Sequence, residues 1–414
     1  MKRIIFIFSL ILTFLSPIIS HAGEEDNKVY TLEELLTIAI EQNPSIPVFK
    51  ANLEASRGEV VSAKAYPNPE IEFQGNSGKT IDTGESKSEY SIGIGQVVEW
   101  PGKRYYRKKS AEAGVEVLEN DLEDFRLQLK AEVKKAFFRL LSDKKILETA
   151  KENLKTVDEI LKTVGIRVKA GEAPEFELVK ARVEMLRAEK EFKRANNLLT
   201  VSRTSLNALL GNSLEHDFGI EGEFRIPEKK YELPALLSNA IERHPLILKA
   251  TKDAEAKGYS LEMEKASIFP DVTVRGFFDR EIDKDAYGIG LSIPIPFWYQ
   301  RKGEITTARG ELAKAEAEIF KTRIELSRLI TEQYQNYTTA LDQIEVFDKG
   351  LLKEASEALR IADLSYKQGE SGLLDYLDTQ RVYRSTIAEY YQSLFELEVS
   401  IASLERISGV PIQP

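Results

Sequence analysis

Cysteine is absent from all 414 residues, histidine occurs three times and tryptophan twice. The first absence excludes a disulfide framework, a thiolate metal site, a cysteine nucleophile and an N-terminal lipidated cysteine. Three histidines, one of them (His21) in a leader segment, are too few for a histidine-built metal centre. Positive charge is in deficit: 57 Lys and Arg against 67 Asp and Glu leave a net charge of −10. That balance disfavours nucleic acid as a partner, because phosphate binding relies on clustered Lys and Arg. Proline is missing between Pro101 and Pro174 and again between Pro296 and Pro411, which leaves room for two long uninterrupted helices.

Long apolar runs are also missing beyond the leader. Lys2 and Arg3 precede an apolar run from Ile4 to Ile19, and Ser20-His21-Ala22 makes a small-x-small exit, so residues 1–22 read as a secretory signal peptide. The run is about 16 residues and contains Pro17, short of the roughly 20 that a spanning helix needs. The mature chain is therefore expected to be exported, and it cannot enter a membrane as helices.

What is present is a duplication. Leu32 to Pro44 aligns with Leu233 to Pro245 at an offset of 201 residues, Ser91-Ile92-Gly93-Ile94 with Gly288-Ile289-Gly290-Leu291 at 197, and Gly171-Glu172 with Gly369-Glu370 at 198. Two repeats are expected, residues 23–211 and 231–410, joined by a polar linker at 212–230 that carries Gly219, Gly222 and Pro227. Each repeat opens with a short helix; in the first, Thr31 and Glu34 form a capping box and Asn43-Pro44 a stop. His244 takes the place of Asn43 and reads as a helix cap, while His216 lies alone in the linker.

The hydrophobic period then changes from 3.6 to 2. Strands are expected at about 69–77, 88–99, 270–279 and 286–295, forming hairpins closed by Ser77 to Lys87 and Arg280 to Asp285. Long helices follow at about 103–168 and 301–367, each on the order of 100 Å. Leu147, Ala150, Leu154, Val157, Leu161, Val164 and Val168 keep a 3-4 heptad seam. Leu118, Leu122, Phe125, Leu129, Val133, Phe137 and Leu140 include consecutive fours that relax the supercoil. In the second repeat, Leu351, Ala355, Ala358, Ala362 and Ser365 read as a small-residue seam. Glycine turns then lead to antiparallel return helices at about 175–210 and 373–407.

The strands have the length and alternation of transmembrane β-strands. Four strands cannot close a barrel and an open edge is not tolerated in lipid, so several chains must contribute: two copies would give eight strands, three would give twelve. Gly93, Gly95, Gly288 and Gly290 on the inner face favour an open lumen. Enzyme motifs fail: the two Gly-Ile-Gly triplets sit in strands and lack the third glycine of a dinucleotide loop, and metalloprotease, nucleophile-elbow and phosphate-loop patterns are missing. No enzymatic activity and no cofactor are expected. A periplasmic coiled-coil scaffold is the competing reading.

The repeated order of hairpin and long helix, the turn Tyr366-Lys367-Gln368-Gly369-Glu370-Ser371-Gly372-Leu373-Leu374-Asp375-Tyr376-Leu377-Asp378 and its counterpart from Gly171 to Val183 resemble the TolC-type outer membrane factors. Gln96 to Arg104 and Pro294-Ile295-Pro296-Phe297 further resemble the CzcC-like heavy-metal efflux branch. The resemblance implies a mainly α-helical protein with transmembrane β-structure: a homotrimer with a 12-stranded outer membrane barrel and a 12-helix periplasmic tunnel. It also implies docking to a periplasmic adaptor and an inner-membrane pump of RND type, and outer membrane lipid as a further partner. The substrate expected is a heavy-metal cation, with drug efflux or type I protein secretion as the alternative. The family's aperture positions fall on Asp375, Asp378 and Tyr366, with Ser371 where the family carries a basic residue. Gly171, Glu172, Gly369 and Leu373 are the expected adaptor-docking turns. Trp100, Phe297 and Trp298 are the expected membrane-interface aromatics. Without a cysteine lipid anchor, the barrel alone is expected to hold the protein in the membrane.

Overall fold

The computed structural model describes residues 28–227 and 231–410. The expected signal peptide, with His21, lies outside the described residues. The elements run β1 (Val29–Tyr30), α1 (Leu32–Gln42), α2 (Ser45–Lys64), β2 (Glu70–Lys79), β3 (Ser86–Val98), α3 (Pro101–Lys169), α4 (Glu175–Leu209), β4 (Gly219–Ile220), α5 (Leu233–Arg243), α6 (Pro245–Ala266), β5 (Val272–Arg280), β6 (Asp285–Ser292), α7 (Lys302–Val346), α8 (Leu352–Gln368) and α9 (Leu373–Ser408). At 1.5 Å per residue, the 69 residues of α3 extend about 100 Å.

Local chemistry sets the ends of these elements. The Glu34 amide donates to Thr31 Oγ1 at 3.4 Å while the Thr31 amide donates to Glu34 Oε2 at 2.8 Å, closing the capping box of α1. The first hairpin is longer than expected and its loop shorter, because the Thr80 amide bonds Glu85 O at 2.9 Å and Gly84 takes φ +69°. By contrast β6 ends at Ser292, three residues before the expected boundary, because Pro294 has no amide with which to continue a ladder.

The strands form one antiparallel sheet in the order β2-β3-β5-β6, with β2 and β6 as its edges. Below the sheet the helices pack side by side: α3 lies against α2, α4, α6 and α9, while α7 lies against α6 and α9. The main cores sit at mid-length, where short helices cover long ones. One joins Leu35, Ala39 and Ile46 to Leu129, Val133, Phe137 and Leu206, and the other joins Leu236 and Ala240 to Ile330, Tyr337, Ile344 and Leu404.

Three expectations need correction. The linker at 212–230 is part of the core in its described portion: β4 pairs in parallel with β1, Phe218 and Ile220 are buried, and a Cβ on Gly222 would stand 2.7 Å from Phe137. Its glycines serve this close approach as much as flexibility.

The second long helix, expected unbroken over 301–367, is interrupted. Residues Phe347–Leu351 make a wide turn in which Gly350 adopts φ +124°, a conformation that side-chain-bearing residues rarely take. Beyond the break the seam keeps Ala355 and Ala362 and differs by one residue at its other three positions. Leu351 and Ala358 are exposed, and the inward line is Leu352, Ala355, Leu359, Ala362 and Tyr366. Ala355 and Ala362 keep their expected inner places, while Leu352, Leu359 and Tyr366 stand where Leu351, Ala358 and Ser365 were expected, so the inner line alternates large and small side chains.

In α3, Leu122, Leu129, Val133, Phe137, Leu140, Val157 and Val164 are buried as expected, with Asn153 and Ile160 added to the seam.

Candidate functional site

Strand register sorts the sheet into two faces. Ile71 lies opposite Ile94, Phe73 opposite Ile92, Ile92 opposite Phe278, Val274 opposite Leu291 and Phe278 opposite Tyr287. Together they build a continuous apolar face on which Ile71, Phe73, Ile289 and Leu291 are each at least 70% exposed. A patch of that kind marks contact with lipid or with another chain.

The opposite face carries Glu72, Gln74, Ser91, Thr273, Arg275 and Asp279 among small residues. Arg275 Nη2 pairs with Glu72 Oε2 at 2.7 Å, and Ser91 Oγ donates to Asp279 Oδ1. Two of the four glycines expected to leave this face open are covered. A Cβ on Gly93 would stand 2.7 Å from Arg275 Nε, and one on Gly288 would stand 2.8 Å from Phe277. The glycines provide a floor on which large side chains lie flat.

The open edges of sheet and helices coincide. On one side β2, α2 and α4 have neighbours only inward; on the other side the same holds for β6, α7 and α8. Apolar residues remain exposed along these helices: Phe176, Val179, Val183 and Leu186 at 3-4-3 spacing on α4, Phe320 and Ile324 on α7, Ile361 and Leu364 on α8. That spacing is a helix-packing seam without a partner among the described residues.

At the far end of the helices, both turns are Schellman motifs. Gly171 (φ +79°) and Gly369 (φ +78°) take the left-handed position, and the amides of Glu172 and Glu370 each reach back 2.9 Å, to Arg167 O and Ser365 O. A Cβ on either glycine would meet nothing within 4 Å, so these turns are exposed and need glycine for backbone reasons. Leu373, however, is buried with Ile160, Val164, Ala181, Tyr366, Tyr376 and Leu377.

The structure thereby separates the expected aperture residues. Asp375 and Asp378 are exposed one turn apart at the start of α9. Tyr366 is 6% exposed and stacks on Tyr376 at 5.5 Å. Among the described residues its hydroxyl has no partner in hydrogen-bond geometry, and the Arg167 guanidinium, 5.5 Å from the ring centre, is the cation that faces it. Burial raises the Tyr366 hydroxyl above its ordinary value and pushes Tyr376 up to about 12, so both rings are neutral.

Sequence reasoning missed the nearby cation. Arg381 lies 3.8 Å from Asp378 Oδ1 and also donates to buried Glu184, which accepts from Arg187 at 2.8 Å. The (i, i+3) spacing of Asp378 and Arg381 was visible in sequence, but Glu184 comes from α4 and had no local signal. At Ser371 the hydroxyl is buried without a hydrogen-bond partner among the described residues.

Trp100 caps α3 and stacks on Phe269 at 4.8 Å, while its amide donates to Asp271 Oδ1 at 2.9 Å. It thus ties the two halves together. Phe297 and Trp298, 77% and 99% exposed, project freely from the segment between β6 and α7. His216 is exposed, as expected for a lone linker residue. Among the described residues no group of three or more His, Asp or Glu is placed to hold a metal, and no helix is long and apolar enough to cross a membrane.

Comparison with known proteins places this geometry. The chain is 26% identical to the cobalt-zinc-cadmium resistance protein CzcC of Cupriavidus metallidurans, over 99% of this chain and 100% of that protein. It is 22% identical to the pyoverdine export outer membrane protein OpmQ of Pseudomonas putida, over 91% of this chain and 86% of the relative. Its fold is that of the Campylobacter jejuni CmeC outer membrane channel, with a TM-score of 0.79 at 17% identity over 92% of this chain and 86% of that one. A family profile described as "Outer membrane efflux protein" matches twice, over residues 35–212 and 236–410. Both halves of the chain, with the hairpins and long helices they carry, thus belong to the outer membrane efflux protein family.

Proposed function

We propose that three copies of this chain close head to tail into a continuous duct, with a 12-stranded barrel in the outer membrane and a 12-helix tunnel in the periplasm. The observation that carries this reading is the coincidence of open edges. One chain contributes a four-stranded sheet, and its unpaired β2 lies on the same side as the unpartnered seam of α4. Pairing β2 with a neighbour's β6 removes the strand edges that lipid does not tolerate. The same rotation brings the α4 seam against the neighbour's α7 and α8. The apolar sheet face then meets lipid and the polar face lines the lumen. Phe297 and Trp298, exposed just beyond β6, would serve as interfacial aromatics in this arrangement.

The duct is passive, and its cargo is heavy-metal cations delivered by an inner-membrane RND pump through a periplasmic adaptor. The likeness to CzcC along the full chain supports this cargo. The likeness to OpmQ, a pyoverdine exporter, supports a second reading in which the same duct serves small organic molecules, since a water-filled tunnel leaves substrate choice to the pump. The six carboxylates of Asp375 and Asp378 from three chains would ring the tunnel's lower mouth, and the turns at Gly171-Glu172 and Gly369 would meet the adaptor.

The test is fractionation and mass measurement of the detergent-extracted protein, followed by cation efflux from cells that express it with its pump. A monomer in the soluble periplasmic fraction would overturn the duct. Adaptor docking is tested from Glu172→Cys and Glu370→Cys, which spare the left-handed glycines and add the only thiols in the chain.

A further inference from the structure

We propose that the Glu72–Arg275 pair is a charge-balanced collar in the membrane part of the duct, and that it sets how readily cations pass the barrel. This inference rests on the duct reading above.

The collar crosses three strands. Glu72 on β2 lies opposite Gly93 on β3, and Arg275 on β5 lies opposite Gly95, so the guanidinium reaches diagonally over Gly93 to the carboxylate, 2.7 Å away. Gly93 makes this possible, because a Cβ there would stand 2.7 Å from Nε and 2.9 Å from Nη2 of Arg275. Laid on that glycine, Nε is buried without a hydrogen-bond partner among the described residues, and Nη2 makes the ion pair. One residue pair further along, Phe277 lies on Gly288 in the same way. Beside them the polar face carries Ser91, Gly95, Thr273, Gly290 and Ser292, so Arg275 and Phe277 are the bulkiest groups there.

The charge balance gives the pair its consequence. Glu70, Glu72, Glu89 and Asp279 on this face stand against only Lys87 and Arg275, and the Asp279 carboxylate accepts from Ser91. Arg275 therefore introduces the one cation in the middle of an acidic wall, and Glu72 cancels it beside the bulky Phe277. In a ring of three, loss of the Glu72 charge exposes three guanidinium groups to passing cations, and fixed charge at a constriction governs ion selectivity. Loss of the Arg275 charge leaves three carboxylates uncompensated.

The experiment measures reversal potentials of the full-length protein in planar bilayers under a potassium chloride gradient. Glu72→Gln is expected to lower the cation-to-anion permeability ratio several-fold, Arg275→Gln to raise it, and the double variant to return it to near the parental value. Gly93→Val, which changes no charge, is expected to lift the guanidinium into the lumen and reduce conductance. If one variant fails to insert, the opposite shift in the other still decides the matter. Conducting variants with the parental reversal potential would overturn the collar while leaving the duct intact. A parental protein that inserts without conducting would overturn the duct reading itself.

Discussion

His244 Nε2 lies 3.0 Å from the carbonyl oxygen of Arg406, and the same ring accepts the Leu246 amide on Nδ1 at 3.2 Å. The first half repeats the arrangement with another residue: Asn43 Nδ2 donates to Leu209 O at 2.8 Å and its Oδ1 accepts the Ser45 amide at 2.9 Å. Each side chain caps the start of one helix and binds the end of another, pinning the short helices to the return helices. The bond pattern assigns the neutral tautomer with the proton on Nε2. Burial holds the His244 value below the ordinary one, against the opposing pull of the bond to the Arg406 carbonyl and of Asp124, while the Arg406 charge adds to the lowering.

His244→Ala is therefore expected to cost about 1–3 kcal/mol through loss of the cap and an unsatisfied buried carbonyl, whereas His244→Asn should cost less than about 1 kcal/mol. The unfolded chain takes up the imidazole proton near pH 6.5 and the folded chain resists it. The stability His244 contributes is complete above that pH and lost below it. Thermal unfolding of the two variants between pH 5 and pH 8 checks both statements.

Glu398 has the opposite pH dependence. It is 8% exposed, and burial pushes it up to about 7 although Oε1 accepts the Arg225 amide at 3.1 Å and Lys134 lies nearby. Its value is raised above that of the unfolded chain, so the stability it contributes is present at low pH. That contribution is lost as pH rises from about 4.3 to about 7, a change on the order of 3 kcal/mol. Glu398→Gln should raise the unfolding midpoint at pH 8 and leave it nearly unchanged at pH 4. Equal effects at both pH values would contradict the assignment.

Gly350 interrupts the second long helix with φ +124° in open space. Gly350→Ala meets no clash, yet it places a Cβ on a backbone that disfavours one, and is expected to destabilise by about 1–3 kcal/mol. A stabilised variant in denaturant titrations would show instead that the helix prefers to be continuous.

Asp375→Ala combined with Asp378→Ala should increase single-channel conductance and remove block by multivalent cations. Arg381→Ala, which removes the cation 3.8 Å from Asp378, should strengthen that block. Tyr366→Phe deletes a hydroxyl that has no partner in hydrogen-bond geometry among the described residues, and is expected to change stability by less than about 0.5 kcal/mol. A large effect of Tyr366→Phe on conductance would assign the hydroxyl a role between chains.

Much of the architecture was legible in the sequence because it is written in periods. Alternation at Ile71, Phe73, Ile92 and Ile94 marks strands, the 3-4 spacing through Val157 and Val164 marks a packed long helix, and Thr31 with Glu34 marks where a helix starts. Each is a relation between residues a few positions apart, where backbone geometry alone decides which side chains share a face. Gly171 and Gly369 were equally readable as helix ends, since the left-handed position selects glycine.

What only the tertiary structure decided involves residues far apart in the chain or a conformation with no local cause. The pairing of Glu72 with Arg275 depends on strand order, and the link from Arg381 to Glu184 depends on which helices are neighbours. Phe218 and Ile220 become core because the linker folds back onto β1. The break at Gly350 interrupts the helix, and beyond it Leu352, Leu359 and Tyr366 face inward in place of Leu351, Ala358 and Ser365. The sequence by itself determined the periods and the stops; the packed sheet and helix layer determined which charges meet and which faces stay open, because both depend on residues that are distant in the chain.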